Sequence, residues 1–288
     1  MADEHSFDCV VVGSGPGGYV AAIRATQLGM KTAVVEKENT GGRCLNEACI
    51  PAKAILRVAE VWTEVNHGEQ FGVNVENATL DYLGATKHRD EVVKTLTGGV
   101  RMLFEKNKIE LFEGLGQLTE DANVRIGAAK DGVELETKTV VLATGSVAKP
   151  LLGLRFGGRV LDTAATWLLN ERPDRLCVIG AGASGTEVAS AFGRLGTEVV
   201  LLEALDQILP LEDKDIARTC AREVAKQNVK IETGASVESA EVSGDGVSVT
   251  YGDNTEQFDY LCIAAGRAPD LEELGLCLLY TSPSPRDS

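Results

Sequence analysis

Short, wholly apolar runs alternate along the chain with longer stretches in which apolar residues recur every three or four positions. Residues 9–12 (CVVV) and 176–179 (LCVI) are bounded and rich in β-branched residues, the pattern of strands buried on both faces. After each comes a glycine cluster and then a helical stretch. These stretches stop at Gly29 and Gly196, where glycine supplies the left-handed residue that ends a helix. A second apolar run follows each helix, TAVVE at 32–36 and EVVLLE at 198–203. Residues 114–145 and 234–266 read differently: short alternating strands are separated by turn signals, and each segment closes in a last apolar strand. Two further helical stretches cover about 50–66 and 84–106.

The chain therefore repeats itself. At a constant offset of 167, Gly13 meets Gly180, Gly15 meets Gly182, Gly18 meets Gly185 and Glu36 meets Glu203. The ends of the two units, Gly145 and Gly266, are offset by 121 instead, so the first unit is longer by 46 residues. The extra length falls between about 37 and 107 and carries GGRCLNEACIPAK, residues 41–53. Strand, glycine turn, helix and strand, twice over, predict an α/β fold: two tandem Rossmann-like dinucleotide-binding domains, each with a small β-meander. The expected division is 1–150 and 151–270, joined by a linker over 147–160, with 271–288 left over.

Composition narrows the function. The chain has 288 residues and a net charge of −15, which speaks against a nucleic-acid partner. No apolar run approaches the roughly 18 residues of a membrane span, and MADEHSFD resembles neither a secretion signal nor a transit peptide. A cytoplasmic location is expected, with the mitochondrial matrix left open. Cys9, Cys177 and Cys262 sit in apolar runs and read as small buried hydrophobes; Cys220 lies in a helical pattern and Cys277 near the end.

Each GxGxxG follows a strand, opens a helix and has an acid 23 residues after its first glycine. The first glycine permits the tight turn, the second lets backbone approach a pyrophosphate, and the third lets helix and strand pack closely. The helix N-terminus offers free N–H groups to the diphosphate, and Glu36 and Glu203 are expected to accept from ribose hydroxyls. Glu203 would repel a 2′-phosphate, and Ala204, Leu205 and Asp206 bring no cation, so NAD is favoured over NADP. Cys44 and Cys49 form the one spaced cysteine pair. As residues alone they could be metal ligands, a structural staple or a redox pair, although zinc would want a second ligand pair and no His stands near.

Two dinucleotide folds with a C-x4-C between them resemble the flavoprotein disulfide reductases, and within them the lipoamide-specific branch, the dihydrolipoamide dehydrogenases. The residues that carry the resemblance are GSGPGGYVAAIRATQLG (13–29), GGRCLNEACIPAKA (41–54), ATGS (143–146), GAGASGTE (180–187) and AAGRAPD (264–270). The resemblance covers about residues 6–276. It implies FAD in the first unit, held by Gly13, Ser14, Gly15, Pro16, Gly17, Gly18, Glu36, Lys37, Gly42, Arg43, Cys44, Lys53, Gly116, Thr144, Gly145 and Ser146. It implies NAD in the second, held by Gly180, Gly182, Ser184, Gly185, Glu187, Glu203, Val237 and Gly266. By the same resemblance Cys44 and Cys49 form the redox-active disulfide, and metal is not expected. Cys44 exchanges with the dithiol, Cys49 lies against the flavin, and Lys53 pairs with Glu187. Electrons then pass from a dihydrolipoamide, carried on a lipoyl domain of a 2-oxoacid dehydrogenase complex, through the disulfide and FAD to NAD. The family works as a homodimer.

The sequence departs from that pattern in several places. Arg43 stands where many members have Thr, and Ala183 and Ser184 are small beside the nicotinamide pocket. Family members continue through a second flavin segment and a dimerisation domain bearing an acid–base His followed by Pro. His5, His67 and His88 are the only histidines here, and none precedes Pro. Residues 277–288 (CLLYTSPSPRDS) read as foreign to the family. The expectation is thus a C-terminally truncated disulfide oxidoreductase. The alternatives are a non-catalytic or diaphorase-like FAD/NAD-binding fragment, or a glutathione-type reductase.

Overall fold

The computed structural model describes residues 5–127 and 132–279. The expected foreign tail therefore lies outside the described residues from 280 onward, whereas Leu276–Leu279 forms a short 3-10 helix. The chain divides into two compact units. One comprises the described residues of Met1–Asn46, Val93–Val147 and Ala268–Ser288, the other those of Glu47–Val92 and Ala148–Arg267.

In the first unit four parallel strands lie in the order Glu110–Glu113, Thr32–Glu36, Cys9–Val12, Val140–Leu142. The central pair is buried at every position, which is why both strands read as unbroken apolar runs. Helix Pro16–Gln27 returns the chain between them. Its end closes as expected: Gly29 has φ +92°, and the N–H groups of Gly29 and Met30 donate to the carbonyls of Thr26 and Ala25. The meander, Gly116–Leu118, Val124–Ile126 and Val133–Thr137, is joined by a strand the apolar pattern did not show, Ser6–Phe7, parallel to the last of these. Val10, Val12, Ala33 and Val35 pack against Leu118, Val124 and Leu135 between sheet and meander.

The second unit repeats the order with one strand more: Val229–Thr233, Glu198–Glu203, Arg175–Ile179, Tyr260–Ile263, Val160–Asp162, all parallel. Its antiparallel meander is Val237–Ser243, Gly246–Tyr251 and Asn254–Phe258. Alternate side chains of the parallel strands face opposite ways. Cys177, Val200 and Leu261 meet the meander residues Val247, Val249 and Phe258. Val178, Leu201 and Cys262 meet helix Ala183–Arg194 and its neighbours. Helix Cys49–Asn66, which lies in the insertion of the first repeat, belongs to this second core through Ala52, Ile55 and Ala59. Cys9, Cys177 and Cys262 are buried. Burial raises all three thiols, Cys262 to about 12, so they stay protonated and inert.

Candidate functional site: two glycine loops and a cysteine pair

Both glycine loops sit at the carboxyl ends of parallel strands where the strand order reverses, the place where open α/β sheets bind ligands. The three glycines of each loop have three different surroundings. Gly13 has φ +98°, and a Cβ there would stand 2.4 Å from the Ala143 carbonyl oxygen. At Gly18 it would stand 1.8 Å from the Gly13 oxygen, where helix meets strand. At Gly15 nothing lies within 4 Å. The second loop repeats this: Gly180 (φ +97°) against the Ala264 oxygen at 2.7 Å, Gly185 against the Gly180 oxygen at 1.9 Å, and open space at Gly182. The middle glycine is thus small for something other than the protein. Gly15 and Gly182 are also the N-caps of their helices, and neither helix has a side-chain cap. First-turn N–H groups therefore face the cradle with no side chain to satisfy them. A diphosphate fits that donor set.

Glu36 and Glu203 end the second strand of each sheet and are buried. Both first serve the loop itself. The backbone N–H of Ser14 donates to Glu36 Oε2 at 2.8 Å and that of Glu38 to Oε1 at 2.9 Å. The N–H groups of Ala181 and Leu205 donate to Glu203 at 2.8 and 3.0 Å. Sequence reasoning saw the acid and not this bracing, because the donors are backbone groups that no residue pattern displays.

Of the other candidates, Pro16 and Gly17 are exposed at the helix start and Lys37 follows Glu36. The Lys37 ammonium is 2.8 Å from Asp270, whose hydrogen bond raises the lysine's pKa, and the Asp270 N–H donates to the Gly145 carbonyl. Thr144 and Gly145 follow the strand that meets Gly13, and Ser146 opens the next strand. Gly116 opens the first strand of the meander and is buried, and a Cβ there would press on Val35 and Val12. In the second unit Ser184 is exposed in the first turn after Gly182. The segment leading to Val237 lies beside Glu203, whose carbonyl accepts from the Ala235 N–H, and Gly266 follows the strand that meets Gly180.

The cysteines are joined as the disulfide Cys44–Cys49. Gly41 and Gly42, both at positive φ, turn the chain into helix Gly42–Asn46, which holds Arg43 and Cys44. A Cβ on Gly42 would stand 2.7 Å from Gly15 Cα, so this turn lies on the first glycine loop. Cys49 is the first residue of helix Cys49–Asn66, at the end where a thiolate is stabilised. One helical turn on, Lys53 pairs with Glu187 at 2.7 Å, the latter on the helix that the second glycine loop opens. Among the described residues no group of three or more His, Cys, Asp or Glu is placed to hold a metal. Nor is any helix long and apolar enough to cross a membrane.

Known proteins are similar to this chain in sequence and fold. The chain is 39% identical over 270 residues to the dihydrolipoyl dehydrogenase of Chlamydia pneumoniae, covering 94% of this chain and 58% of that protein. Among solved structures it is similar to LpdA from Mycobacterium tuberculosis, with TM-score 0.86, 25% identity, and 95% and 61% of the two chains covered. It is also similar to the HOCl-induced flavoprotein disulfide reductase RclA from Escherichia coli, with TM-score 0.82, 27% identity, and 97% and 61% covered. The chain thus spans rather less than two thirds of the length of these relatives. The sequence pattern of the pyridine nucleotide-disulphide oxidoreductases matches residues 7–279, and the chain belongs to that family.

Proposed function

We propose that the chain is the dinucleotide-binding and disulfide-bearing part of a dihydrolipoyl dehydrogenase. The observation that carries this is the Cys44–Cys49 disulfide, lying between a turn seated on the first glycine loop and a helix N-terminus whose Lys53 pairs with Glu187. The family's cofactors are FAD and NAD(H). We assign FAD to residues 1–150 and NAD to 151–270, through the residues named above for each. When bound, the flavin supplies a two-electron relay between the cysteine pair and the nicotinamide.

The protein's own part is thiol chemistry. One thiolate of a dihydrolipoamide attacks Cys44 Sγ, the Cys44–Cys49 bond breaks, and Cys49 leaves as a thiolate. The positive end of the helix that Cys49 opens, and the Lys53 ammonium a turn on, favour that charge. The substrate's second thiolate then attacks its own sulfur in the mixed disulfide, closes the lipoyl ring and releases Cys44. Glu203, with no cation at 204–206, selects NAD over NADP. In the whole protein we propose a homodimer serving a lipoyl domain of a 2-oxoacid dehydrogenase complex, in the cytoplasm or mitochondrial matrix.

The visible spectrum of the purified chain, before and after anaerobic NADH and then dihydrolipoamide, tests this. A flavin spectrum that responds to both supports the reading. A response to NADH alone leaves a diaphorase-like fragment, and a folded, colourless chain overturns the flavin assignment. Turnover of glutathione disulfide in place of lipoamide by the whole protein would overturn the substrate.

A further inference from the structure

The two glycine loops share their three glycines and differ at Pro16–Gly17 against Ala183–Ser184 and at the residue after the first glycine, which is Ser14 in one and Ala181 in the other. The backbone N–H of each donates to the acid at the end of the neighbouring strand, at 2.8 Å in both. Ser14 does more. Its side chain is wholly buried; its hydroxyl donates to Glu36 Oε2 at 2.6 Å and accepts from the Gly41 N–H at 3.0 Å. Gly41 and Gly42 form the left-handed turn that leads to Cys44, and Gly42 is pressed against Gly15. In the second unit, which has no cysteine segment, the corresponding stretch is tied to the loop by a backbone bond, Leu209 N–H to the Ala181 carbonyl at 2.7 Å. The serine hydroxyl thus appears in the loop that has a cysteine turn to hold.

We propose that Ser14 is a positioning residue for the disulfide: Glu36–Ser14–Gly41 is a clamp that fixes the approach to Cys44 and so sets how readily Cys44 and Cys49 pair. The inference rests on the reading that this disulfide is redox-active. A disulfide closes within one chain, and its equilibrium follows how well the two sulfurs are held together before the bond forms. With the hydroxyl gone, the buried Gly41 N–H loses its partner and the turn gains freedom in the dithiol state, which shifts the equilibrium towards the dithiol.

The test is the equilibrium of the full chain with reduced and oxidised dithiothreitol. Two electrons and two protons pass from the reagent to the Cys44–Cys49 bond, giving two thiols and cyclic oxidised dithiothreitol. Ser14→Ala, which keeps the backbone bond to Glu36, is expected to favour the dithiol by roughly three- to tenfold over the unaltered chain. An equal constant in the two proteins overturns the role of Ser14 and leaves the redox reading standing. A disulfide that dithiothreitol cannot reduce in the unaltered chain overturns the redox reading instead. Amide exchange at Gly41 in the unaltered chain needs no variant to fold: a protected amide is expected, and exchange at the rate of an open loop overturns the clamp.

Discussion

Gly182 and Gly185 are three residues apart in one loop, and the structure gives them opposite jobs. Gly185→Ala puts a methyl 1.9 Å from the Gly180 carbonyl oxygen and 3.1 Å from Ala264 Cβ. The nearer obstacle is backbone, so the helix must lift from the strand, an overpacking cost of about 3 kcal/mol. At roughly 2–4 °C per kcal/mol for a domain of this size, the unfolding midpoint falls by about 6–12 °C. Gly182→Ala adds the same methyl where nothing lies within 4 Å, at φ −67° and ψ −175°, a conformation open to any residue. Alanine gains about 0.4–1 kcal/mol by restricting the unfolded chain and loses a few tenths as an N-cap, so the midpoint stays within about 3 °C of the parent. Its methyl, however, stands in the cradle assigned to the diphosphate. NADH binding, read by fluorescence titration, is expected to weaken at least tenfold, about 1.4 kcal/mol. Thermal unfolding followed by circular dichroism supplies the other measurement. Parental NADH affinity in Gly182→Ala, or a parental melting point in Gly185→Ala, refutes the division of labour. Gly15 and Gly18 offer the same pair of substitutions for FAD.

Three further outcomes are expected. Glu203→Ala strands the N–H groups of Ala181 and Leu205 and should cost about 2–4 kcal/mol in urea unfolding as well as NADH affinity; a variant as stable as the parent would show that water replaces the carboxylate. Lys53→Met breaks an ion pair whose side chains are 59% and 44% exposed, so stability changes by less than about 1 kcal/mol, while alkylation of reduced Cys49 at neutral pH slows. A large loss of stability with an unchanged alkylation rate would reverse that assignment. The Tyr251 hydroxyl, and after it Arg175, hold the Glu256 carboxyl below its ordinary value of 4.5. A lowered value in the folded state means stability that is present above pH 4.5 and drains away as pH falls through the folded pKa. Glu256→Gln should therefore be less stable than the parent at neutral pH and lose less on acidification, and parallel curves of urea midpoint against pH would refute it.

Much of this was legible in the sequence because it rests on hard local constraints. Gly13 and Gly180 need positive φ, and Gly18 and Gly185 need the absence of a side chain, so the loops announce themselves. Gly29 and Gly196 mark the helix ends for the same reason, and both ends close with the paired hydrogen bonds that such glycines permit. What was not legible depends on partners far along the chain. Ser6–Phe7 is too short to show a period. Lys37 and Asp270 are 233 residues apart. Helix Cys49–Asn66 is amphipathic in sequence, but nothing in its spacing says that its apolar face packs in the core of the second repeat, not the first. The cysteine spacing also left metal, staple and redox pair open, and the structure joins the two cysteines as a disulfide.

The bracing of Glu36 and Glu203 bears on how each loop reads its nucleotide. An ionised carboxylate offers about four acceptor sites. In the second unit two of them accept backbone N–H groups, one on each oxygen. That leaves one site on each oxygen, enough for both hydroxyls of a ribose at once. In the first unit the Ser14 hydroxyl takes a third site, filling Oε2 and leaving a single place on Oε1. The same acid at the same position thus keeps two open acceptor sites in the second unit and one in the first. The difference is one hydroxyl, and it arises from the residue that also ties the first loop to the cysteine turn. If each acid meets a ribose as proposed, the loop that holds the cysteine turn can offer it one acceptor site, and the loop without such a turn can offer two.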